Sequence, residues 1–536
     1  MLKKILKNKY WQDGEPFVWA TGAALTLILA LTFALLFIIV KNGIAVYWPA
    51  DLAHLEMEDG STYLGEVVQT TDDAQAGIRH QVKIGNRDLY PLDFTWLTEA
   101  RIKQRTAPKE AVVLERSAYG NFYGYLAGLE LPTLAVAAAD NPWSRFKSAL
   151  AALDPGLKDL REIQAELSTL NAQLTRLDDK IAKLVYHDRE DDPAMAALQR
   201  RKESLSQEFQ GHVSRYEARE QELMANIALF EDAGGRQQAI PLMSVIRAYR
   251  PNDMSPVAKT GIYLSKVWEL FTAEPRESNT EGGLFPAIFG TIMLIFIMSI
   301  FSFPLGVLAG IYLREYAREG LLVRLVRIAV NNLAGIPSIV YGIFGLAFFV
   351  YGIGSSIDQL FFPEQLPTPT FGTGGILWAS LTLGLLTVPV VIVATEEALG
   401  AIPGGLRESS FALGSTKLQT LTRILLPMAS PGILTGFILA MARAAGEVAP
   451  LMITGVVKLA PALPLDATFP FLHLDRKFMH LGFHIYDIGF QSPNVEAAKP
   501  MVFVTTLLLL AIVITMTSSA IVLRNRMKKK FAITNH

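Results

Sequence analysis

Long apolar runs, separated by short polar loops, fill the second half of the chain, and one further run lies near its start. A bilayer core about 30 Å thick needs roughly 20 apolar residues of helix to cross it, so each run of this length predicts a membrane-spanning helix. The runs are residues 17–40, 284–313, 328–351, 374–395, 428–457 and 500–523. The first is too long for a signal-peptide core, and we expect it to remain as an anchor. The pattern predicts an all-α polytopic membrane protein with six transmembrane helices.

Basic residues in the short loops predict the orientation, because positively charged segments stay in the cytoplasm during insertion. With the N-terminus inside, the basic segments alternate regularly with the spans. The inside residues are Lys3, Lys4, Lys7 and Lys9; Arg314, Arg318, Arg324 and Arg327; Arg407, Lys417 and Arg423; and Arg524, Arg526, Lys528, Lys529 and Lys530. The outside loops 352–373 and 458–499 hold Lys458, Arg476, Lys477 and Lys499. Residues 1–40 are therefore a cytoplasmic N-terminus plus the first span, and residues 524–536 a cytoplasmic tail.

Residues 41–283 lie between the first two spans and are long enough for a separate domain on the outer side. Residues 63–71, 78–84 and 111–114 are rich in β-branched and aromatic residues, which predicts a β-rich module at about 53–118. A 3-4 alternation of apolar residues from 160 to 184 is typical of a coiled coil, and a second stripe from 198 to 230 follows Pro193. We therefore expect an inserted α+β periplasmic domain containing a coiled-coil helical hairpin at about 156–232.

The pattern leaves the arrangement of this hairpin open. Its arms, ending near Gly234 and Gly235, can form a rod about 45 Å long that stands off the membrane. They can equally fold against the β-rich module.

Composition excludes several classes of function. The chain is 51% hydrophobic and 18% charged, whereas soluble domains carry roughly a quarter charged residues. Lys and Arg total 49 against 50 Asp and Glu, so no excess of positive charge indicates nucleic acid as a partner. The absence of cysteine excludes disulfides, a thiolate nucleophile and cysteine metal sites. The absence of any Gly-Lys dipeptide excludes the phosphate-binding loop of an ATPase, so the energy for any transport must come from a partner.

The loop at residues 396–427 is the longest that we expect in the cytoplasm. It predicts a helix from about residue 406 to 413, a left-handed turn at Gly414, and a second helix capped by Ser415 or Thr416. Leu418, Leu421 and Leu425 are expected on one face of the second helix. Such a helix pair can dock into a groove of another protein, or it can rest on lipid headgroups.

The spacing in this loop resembles the EAA loop of ABC importer permeases, which reads Glu-Ala-Ala, three residues, Gly, nine residues, Ile, any residue, Leu, Pro. The matching residues are Glu408, Ser409, Ser410, Gly414, Ile424, Leu426 and Pro427. Ser409 and Ser410 replace the two alanines but keep a small volume. The resemblance implies coupling helices that sit in a cleft of a cytoplasmic ATPase.

The fifth predicted span contains two charged residues, Arg443 and Glu447. Inserting a charged residue at the centre of the membrane costs about 2.5 to 3.5 kcal/mol, so two charged residues in one span indicate a structural or functional role. Their i, i+4 spacing places them on one helix face, where they form either a packing ion pair or the side of an anion path with Glu447 orienting Arg443. Gly432, Gly436, Ala440 and Ala444 form a small-residue stripe that allows another helix to approach closely.

Two further groups of polar residues lie near the spans. In the third span, Asn331, Asn332 and Pro337 predict a kink with polar groups turned inward. In the loop 458–499, His473, His480 and His484 lie among aromatic residues, so an interfacial aromatic loop explains them better than a metal site.

Residues 331–345, the EAA-like loop and residues 442–451 together resemble the PstA-type permease subunits of phosphate ABC importers. The resemblance covers roughly residues 284–530, with residues 284–523 as the ABC permease membrane domain, and leaves 41–283 unexplained. It implies a non-catalytic subunit of the bacterial inner membrane, without a cofactor, that supplies half of a path for inorganic phosphate. The implied partners are a PstC-type permease, a PstB-type ATPase dimer, a periplasmic phosphate-binding protein and membrane lipid. A permease for another oxyanion, or a membrane-anchored sensor with an external coiled coil, remains the alternative.

Overall fold

The computed structural model describes residues 13–73, 77–136, 141–467, 469–492 and 495–531. Lys3, Lys4, Lys7 and Lys9 lie outside this part. Its helices are α1 (Glu15–Ala45), α2 (Pro142–Tyr186), α3 (Pro193–Met224), α4 (Pro256–Thr272), α5 (Phe285–Tyr316), α6 (Leu321–Leu333), α7 (Ser338–Phe361), α8 (Ile376–Gly400), α9 (Gly404–Ala412), α10 (Lys417–Gly446), α11 (Ala449–Thr454), α12 (Leu481–Tyr486) and α13 (Val495–Phe531).

The strands lie between α1 and α5. They are β1 (Leu52–Met57), β2 (Thr62–Asp73), β3 (Gly77–Lys83), β4 (Phe94–Thr98), β5 (Ile102–Thr106), β6 (Val112–Arg116), β7 (Phe122–Glu130), β8 (Ile227–Glu231), β9 (Gln237–Pro241), β10 (Val245–Tyr249), β11 (Pro275–Arg276) and β12 (Glu281–Gly282).

In the described part of the chain, α1, α5, α7, α8, α10 and α13 are long and apolar enough to cross a membrane. The number of predicted spans is therefore confirmed, and the protein is a multi-pass membrane protein. The bounds of the third span were wrong, because α7 begins at Ser338 and not at residue 328. Pro337 cannot donate the backbone hydrogen bond that a continuous helix would need, so the preceding residues form the separate helix α6. Asn331 and Asn332 are exposed on α6, not turned inward as expected.

Helix α8 is the centre of the membrane domain, because α5, α7, α10 and α11 all pack against it. Its Leu383 and Leu386 are buried in one cluster with Leu294 and Met298 of α5 and Ala444 of α10. Helix α13 packs on α10, and α1 packs on α13, where Gly43 faces Leu507. The sequence order of the spans therefore differs from their order in space.

The small-residue stripe on α10 faces α8. A Cβ atom added to Gly432 would lie 2.6 Å from the Cβ of Ala398, and one added to Gly436 would lie 2.1 Å from the Cβ of Ala394. Dispersion contacts of this kind replace the hydrophobic effect as the force that joins helices in lipid. The stripe therefore joins two helices of this chain.

Within the described residues, β1 to β10 form two five-stranded sheets, in the orders β4-β3-β2-β1-β5 and β10-β6-β7-β8-β9, and β11 pairs with β12. Strands β2, β3 and β6 overlap the segments that the sequence indicated, whereas β1 was not predicted as a strand. The expected bounds of the β-rich module at 53–118 were too short, because β7 to β10 complete the second sheet on both sides of the hairpin.

The expected end of the second hairpin arm near Gly234 was also wrong. Helix α3 ends at Met224, and Phe230 belongs to strand β8. The ring of Phe230 is fully buried, and its centroid lies 6.0 Å from that of Phe122 and 5.6 Å from that of Phe146. A helical apolar stripe and a buried strand cannot be distinguished where the run is this short.

Helices α2 and α3 pack against each other as an antiparallel hairpin. At its base, Phe146, Leu153 and Leu160 of α2 are buried with Leu223 and Phe230 in the core of the second sheet. With 45 residues, α2 is roughly 68 Å long, so its other end reaches far from this core.

The far end of α2 contacts two loops that connect the spans. Lys183 Nζ lies 3.5 Å from Glu364 Oε1, Gln365 donates to Asp179 at 3.4 Å, and Arg176 donates to the carbonyl of Phe469 at 3.1 Å. The hairpin therefore folds against the sheet at one end and leans on the membrane domain at the other, so it is not a rod that stands off the membrane.

The fit of α10 against α8 gives a test of the membrane fold. Gly436→Ala places a methyl group where Ala394 already lies, and overpacking of this kind costs about 1–3 kcal/mol. We expect a lower unfolding temperature for the full chain in detergent, measured by tryptophan fluorescence. Gly22→Ala in α1 is the matched control, because an added Cβ there would meet no other part of the described chain within 4 Å. Equal unfolding temperatures for both variants would show that the two helices do not pack this tightly.

Candidate functional site

The two charged residues of the fifth predicted span form an ion pair at a break in the helix. Arg443 lies in the last turn of α10, which ends at Gly446, and Glu447 follows in an extended conformation. The Nε of Arg443 lies 3.6 Å from Oε1 of Glu447. The expected pair is present, but Glu447 reaches it from outside the helix and not along one helical face.

This pair lies deep in the membrane domain. The neighbouring Ala444 and Ala445 are buried in the cluster that contains Leu383 and Leu386, near the middle of α8. After the break, α11 packs closely against α7, where a Cβ on Gly342 would lie 2.8 Å from the Cα of Pro450. The break is therefore held between α7 and α8.

Both charges remain partly accessible in this chain. The side chains of Arg443 and Glu447 are 36% and 21% exposed, although they lie at mid-depth. A charge at this depth is stable only next to other polar groups or water. Contact between this charged surface and lipid tails is therefore unfavourable.

The EAA-like loop forms a compact foot, which we define as residues 402–426. Gly414, with φ +79°, ends α9 in the left-handed region expected for it. Thr416 caps α10 in a capping box with Gln419. The sequence therefore indicated both the turn and the cap of the foot.

Ser410 joins the two helical pieces of the foot. It is buried, and its hydroxyl lies 2.8 Å from the hydroxyl of Thr420. An alanine at this position has no atom to make the hydrogen bond. The replacement of the second family alanine by serine therefore has a structural role, whereas Ser409 and Glu408 are exposed.

The apolar residues of the foot divide into two groups. Phe411, Leu413 and Leu418 are 47%, 87% and 62% exposed, whereas Leu421 and Leu425 are buried. The expectation of one stripe through Leu418, Leu421 and Leu425 was wrong, because α10 has wider π-helical turns from Leu421 to Leu425. Ile424, Leu426 and Pro427 are half-buried where the foot enters the membrane domain.

Arg407 was missed as a site residue, because its loop position indicated only a cytoplasmic charge. Its guanidinium donates to the carbonyls of Leu399 and Ile402 at 2.8 and 2.9 Å and to Glu315 Oε1 at 2.7 Å. Nearby, Lys417 Nζ lies 4.6 Å from the ring centroid of Tyr316. These contacts tie the foot to the ends of α8 and α5, and no local sequence pattern could show a pairing over 92 residues.

Of the three histidines in the loop 458–499, His480 and His484 are interior residues, whereas His473 is partly buried next to Asp466. His480 and His484 are 0% and 2% exposed, and burial lowers the pKa of each to about 4. The positive charge of Lys458 also lowers the pKa of His484. Within the described ranges, no group of three or more His, Asp or Glu residues is arranged to hold a metal ion.

Comparison with known proteins identifies the family. Residues 302–529 match the family model of binding-protein-dependent transport system inner membrane components. The chain is also 32% identical over 238 residues to the probable ABC transporter permease protein YqgI of Bacillus subtilis (strain 168), covering 43% of this chain and 74% of that protein. The chain belongs to this family of inner membrane transport components.

Other relatives of this transport component carry phosphate transport names. The phosphate transport system permease protein PstA of Yersinia pestis is 40% identical over 188 residues, covering 35% of this chain and 58% of the relative. A probable PstA of Methanocaldococcus jannaschii is 34% identical over 189 residues, covering 35% and 60%. The chain thus spans about three fifths of these relatives. They confirm the resemblance that the sequence motifs indicated.

A solved structure of the MetNI methionine ABC transporter, in an inward-facing conformation, is also similar. It is 19% identical with a TM-score of 0.35, and the match covers 51% of this chain and 99% of that chain. Residues 41–283 lie outside the family match.

The buried histidines of this transport component make its stability dependent on pH. A histidine with pKa about 4 when folded and about 6.5 when unfolded binds more protons unfolded, so stability falls as pH drops from about 6.5 towards 4. At pH 5 each contributes a loss of about 2 kcal/mol. We expect His484→Gln to flatten the decline in unfolding temperature between pH 7 and pH 5.

His187→Gln, at an exposed position next to the tip of the hairpin, is the control and should keep the wild-type pH profile. An unchanged profile in His484→Gln would show that His484 is already protonated or hydrated in the folded state.

Proposed function

We propose that this chain is one of two different permease subunits of an ATP-driven importer of inorganic phosphate. Support comes from the PstA relatives, which are named for phosphate transport, and from the family match over residues 302–529, which contains the foot and the charged pair. In this proposal the chain supplies half of the path, and a PstC-type permease supplies the other half. A PstB-type ATPase dimer drives the transport, and a periplasmic binding protein delivers phosphate.

The orientation in this proposal has both termini in the cytoplasm. The foot follows α8 at one end of the membrane domain, and the β-containing domain (residues 41–283), also called the outer domain below, joins α1 and α5 at the opposite end. The foot therefore belongs to the cytoplasmic side, where ATP is available, and the β-containing domain to the periplasm. Contacts from Gln81 to Glu496 and from Asn279 to the carbonyl of Lys458, at 3.1 and 3.0 Å, hold that domain on the outer face.

The charged pair is the proposed contact with the substrate. Phosphate loses hydration in a low-dielectric path, and an arginine can offset part of that loss with two parallel N–H donors. Glu447, at 3.6 Å, orients Arg443 and keeps the local net charge near zero when no anion is present. The partial exposure of Arg443 supports this role, because a partner permease would cover the surface and close a polar path.

The foot is the proposed contact with the ATPase. Phe411, Leu413 and Leu418 expose apolar surface next to Glu408 and Lys417, which fits insertion into an apolar groove with a polar rim. Arg407 then carries the movement of the foot into α8 and, through Glu315, into α5. Closure of the ATPase dimer would in this way rearrange the helices that hold the charged pair.

Removal of the arginine tests the path. We expect Arg443→Ala to reduce uptake of labelled phosphate by at least about tenfold in the reconstituted complex, because a charge-assisted contact is lost. Co-purification of the complex should be unchanged, and Arg443→Lys should restore part of the uptake. A variant that no longer assembles would assign Arg443 to packing. Competition by sulfate and molybdate at phosphate-like potency would instead assign the path to oxyanions in general.

A charge on the foot tests the ATPase contact. Leu413→Asp should abolish co-purification of the ATPase and ATP-driven uptake, because it places a carboxylate in an apolar groove. Gly414→Val should act in the same direction, because φ +79° strains a β-branched residue. Leu92→Asp, also exposed but in the outer domain, is the matched control and should keep both properties. Normal ATPase binding by Leu413→Asp would remove the foot from the interface.

A further inference from the structure

A cavity of about 720 Å³ lies between the outer domain and the ends of two spans. Its walls come from the last turn of α1, the first turns of α13 and the β-containing domain. Cavities of roughly 300–1,000 Å³ are the size that ordinarily holds a small ligand. The proposed transport path does not include this space, and much of its wall comes from residues 41–283, which lie outside the family match.

The lining of this cavity is partly segregated by polarity. The end of α1 and the start of α13 contribute mostly apolar side chains, among them Val46, Met501 and Phe503, together with Glu496 and Lys499, which pair with each other. The outer domain contributes most of the charged side chains, among them Lys83, Arg276 and Glu281, together with a few apolar ones. A soluble ion gains no favourable contact from the apolar part of the lining, whereas an amphiphile can contact both the apolar and the charged parts.

The depth of the cavity corresponds to the headgroup layer of a bilayer. Helix α1 ends at Ala45 and α13 begins at Val495, so both helices leave the hydrocarbon core at the cavity. Gly43 meets Leu507 and Phe503, which brings the two helices together at the cavity's inner edge. An apolar chain could follow Phe503 into the bilayer while its headgroup stays below the outer domain.

Most charges around the cavity are neutralised by each other. Glu115 binds Arg247 and Lys266, and Arg247 also binds Glu269 at 2.9 Å. Lys83 differs, because its nearest carboxylate among the described residues is Glu281, and Nζ lies 4.0 Å from Oε1. The loose pair of Lys83 and Glu281 therefore retains capacity for both an anionic and a cationic group.

Two further observations indicate incomplete solvation in this region. Burial raises the pKa of the Glu281 carboxyl above its usual range, because its charge lacks full compensation. Arg276 pairs with Glu269 through Nη1, but in the described part of the molecule its buried Nε has no hydrogen-bond partner. Both groups would gain from a ligand that carries an acceptor and a cation.

We propose that this cavity binds a zwitterionic phospholipid, with its phosphate near Lys83 and Arg276 and its ammonium near Glu281. The balance of charge favours a zwitterion over free phosphate or an anionic lipid, and the apolar half favours a molecule with acyl chains. The bound lipid fastens the outer domain to α1 and α13. Only the assignment to the outer leaflet depends on the proposed orientation.

Delipidated full-length chain in detergent tests this proposal by thermal unfolding. Phosphatidylethanolamine should raise the unfolding temperature with saturation at one molecule per chain, as counted by native mass spectrometry. Phosphatidylglycerol and diacylglycerol with the same acyl chains, glycerophosphoethanolamine and inorganic phosphate should each give a smaller rise. An equal rise with diacylglycerol would show that only the apolar half binds. An equal rise with glycerophosphoethanolamine or phosphate would show a site for a soluble ligand, and either result overturns the proposal.

Variants locate the site. Lys83→Gln and Glu281→Gln should each weaken retention of phosphatidylethanolamine by about tenfold or more, as expected for loss of one charge-assisted contact. The controls Lys103→Gln and Glu58→Gln make the same changes at exposed positions of the same domain and should retain the lipid like wild type. Equal retention in all four variants would place the lipid elsewhere. The comparison of ligands on the wild-type chain decides the proposal even where a variant does not fold.

Discussion

The close approach of α5 and α10 to α8 is the constraint on which the membrane domain depends. At Gly306 and Gly310 of α5, an added Cβ would lie 2.6 Å from side-chain atoms of Val391 and Thr395, and Gly432 and Gly436 of α10 are equally close to α8. In lipid such contacts carry the packing energy that the hydrophobic effect supplies in water. Because three helices are fixed this closely along their length, a displacement at one end of α8 cannot be absorbed locally.

This packing explains how one short foot can reach a charged pair deep in the membrane. Helix α10 begins in the foot at Lys417 and ends next to Arg443, so it connects the two directly. Arg407 adds a second connection through the last carbonyls of α8 and through Glu315 of α5. The π-helical turns at Tyr312–Tyr316 and Leu421–Leu425 lie where these connections enter the membrane domain. Such turns are frequent at functional sites.

The sequence could predict the features that depend on local composition. Apolar length located the six spans, and the spacing around Gly414 located the turn and the cap of the foot. It could not place the start of α7, because Ile328, Ala329 and Val330 of α6 already begin an apolar run, and Pro337 was interpreted as a kink and not as a helix boundary. The sequence assigned strand β8 to a helix, because its apolar residues continue the helical stripe of α3. Only the folded structure shows that β8 pairs with β7 and β9. Arg407 and Glu315 meet only after folding, so no pattern in the chain could pair them.

The outer domain is joined to the membrane domain at several separate places, and this limits how it can move. Its sheet contacts the start of α13 through Gln81 and Glu496, and its hairpin tip contacts residues 363–365 and Phe469. A domain held by one linker can swing, whereas one held at several distant points can move only together with those points. The loop with Glu364 follows α7, and the loop with Phe469 precedes α13. If these spans rearrange, the hairpin must move with them, or the ion pair between Lys183 and Glu364 must break. The hairpin therefore moves with the membrane domain, although it lies outside the family match.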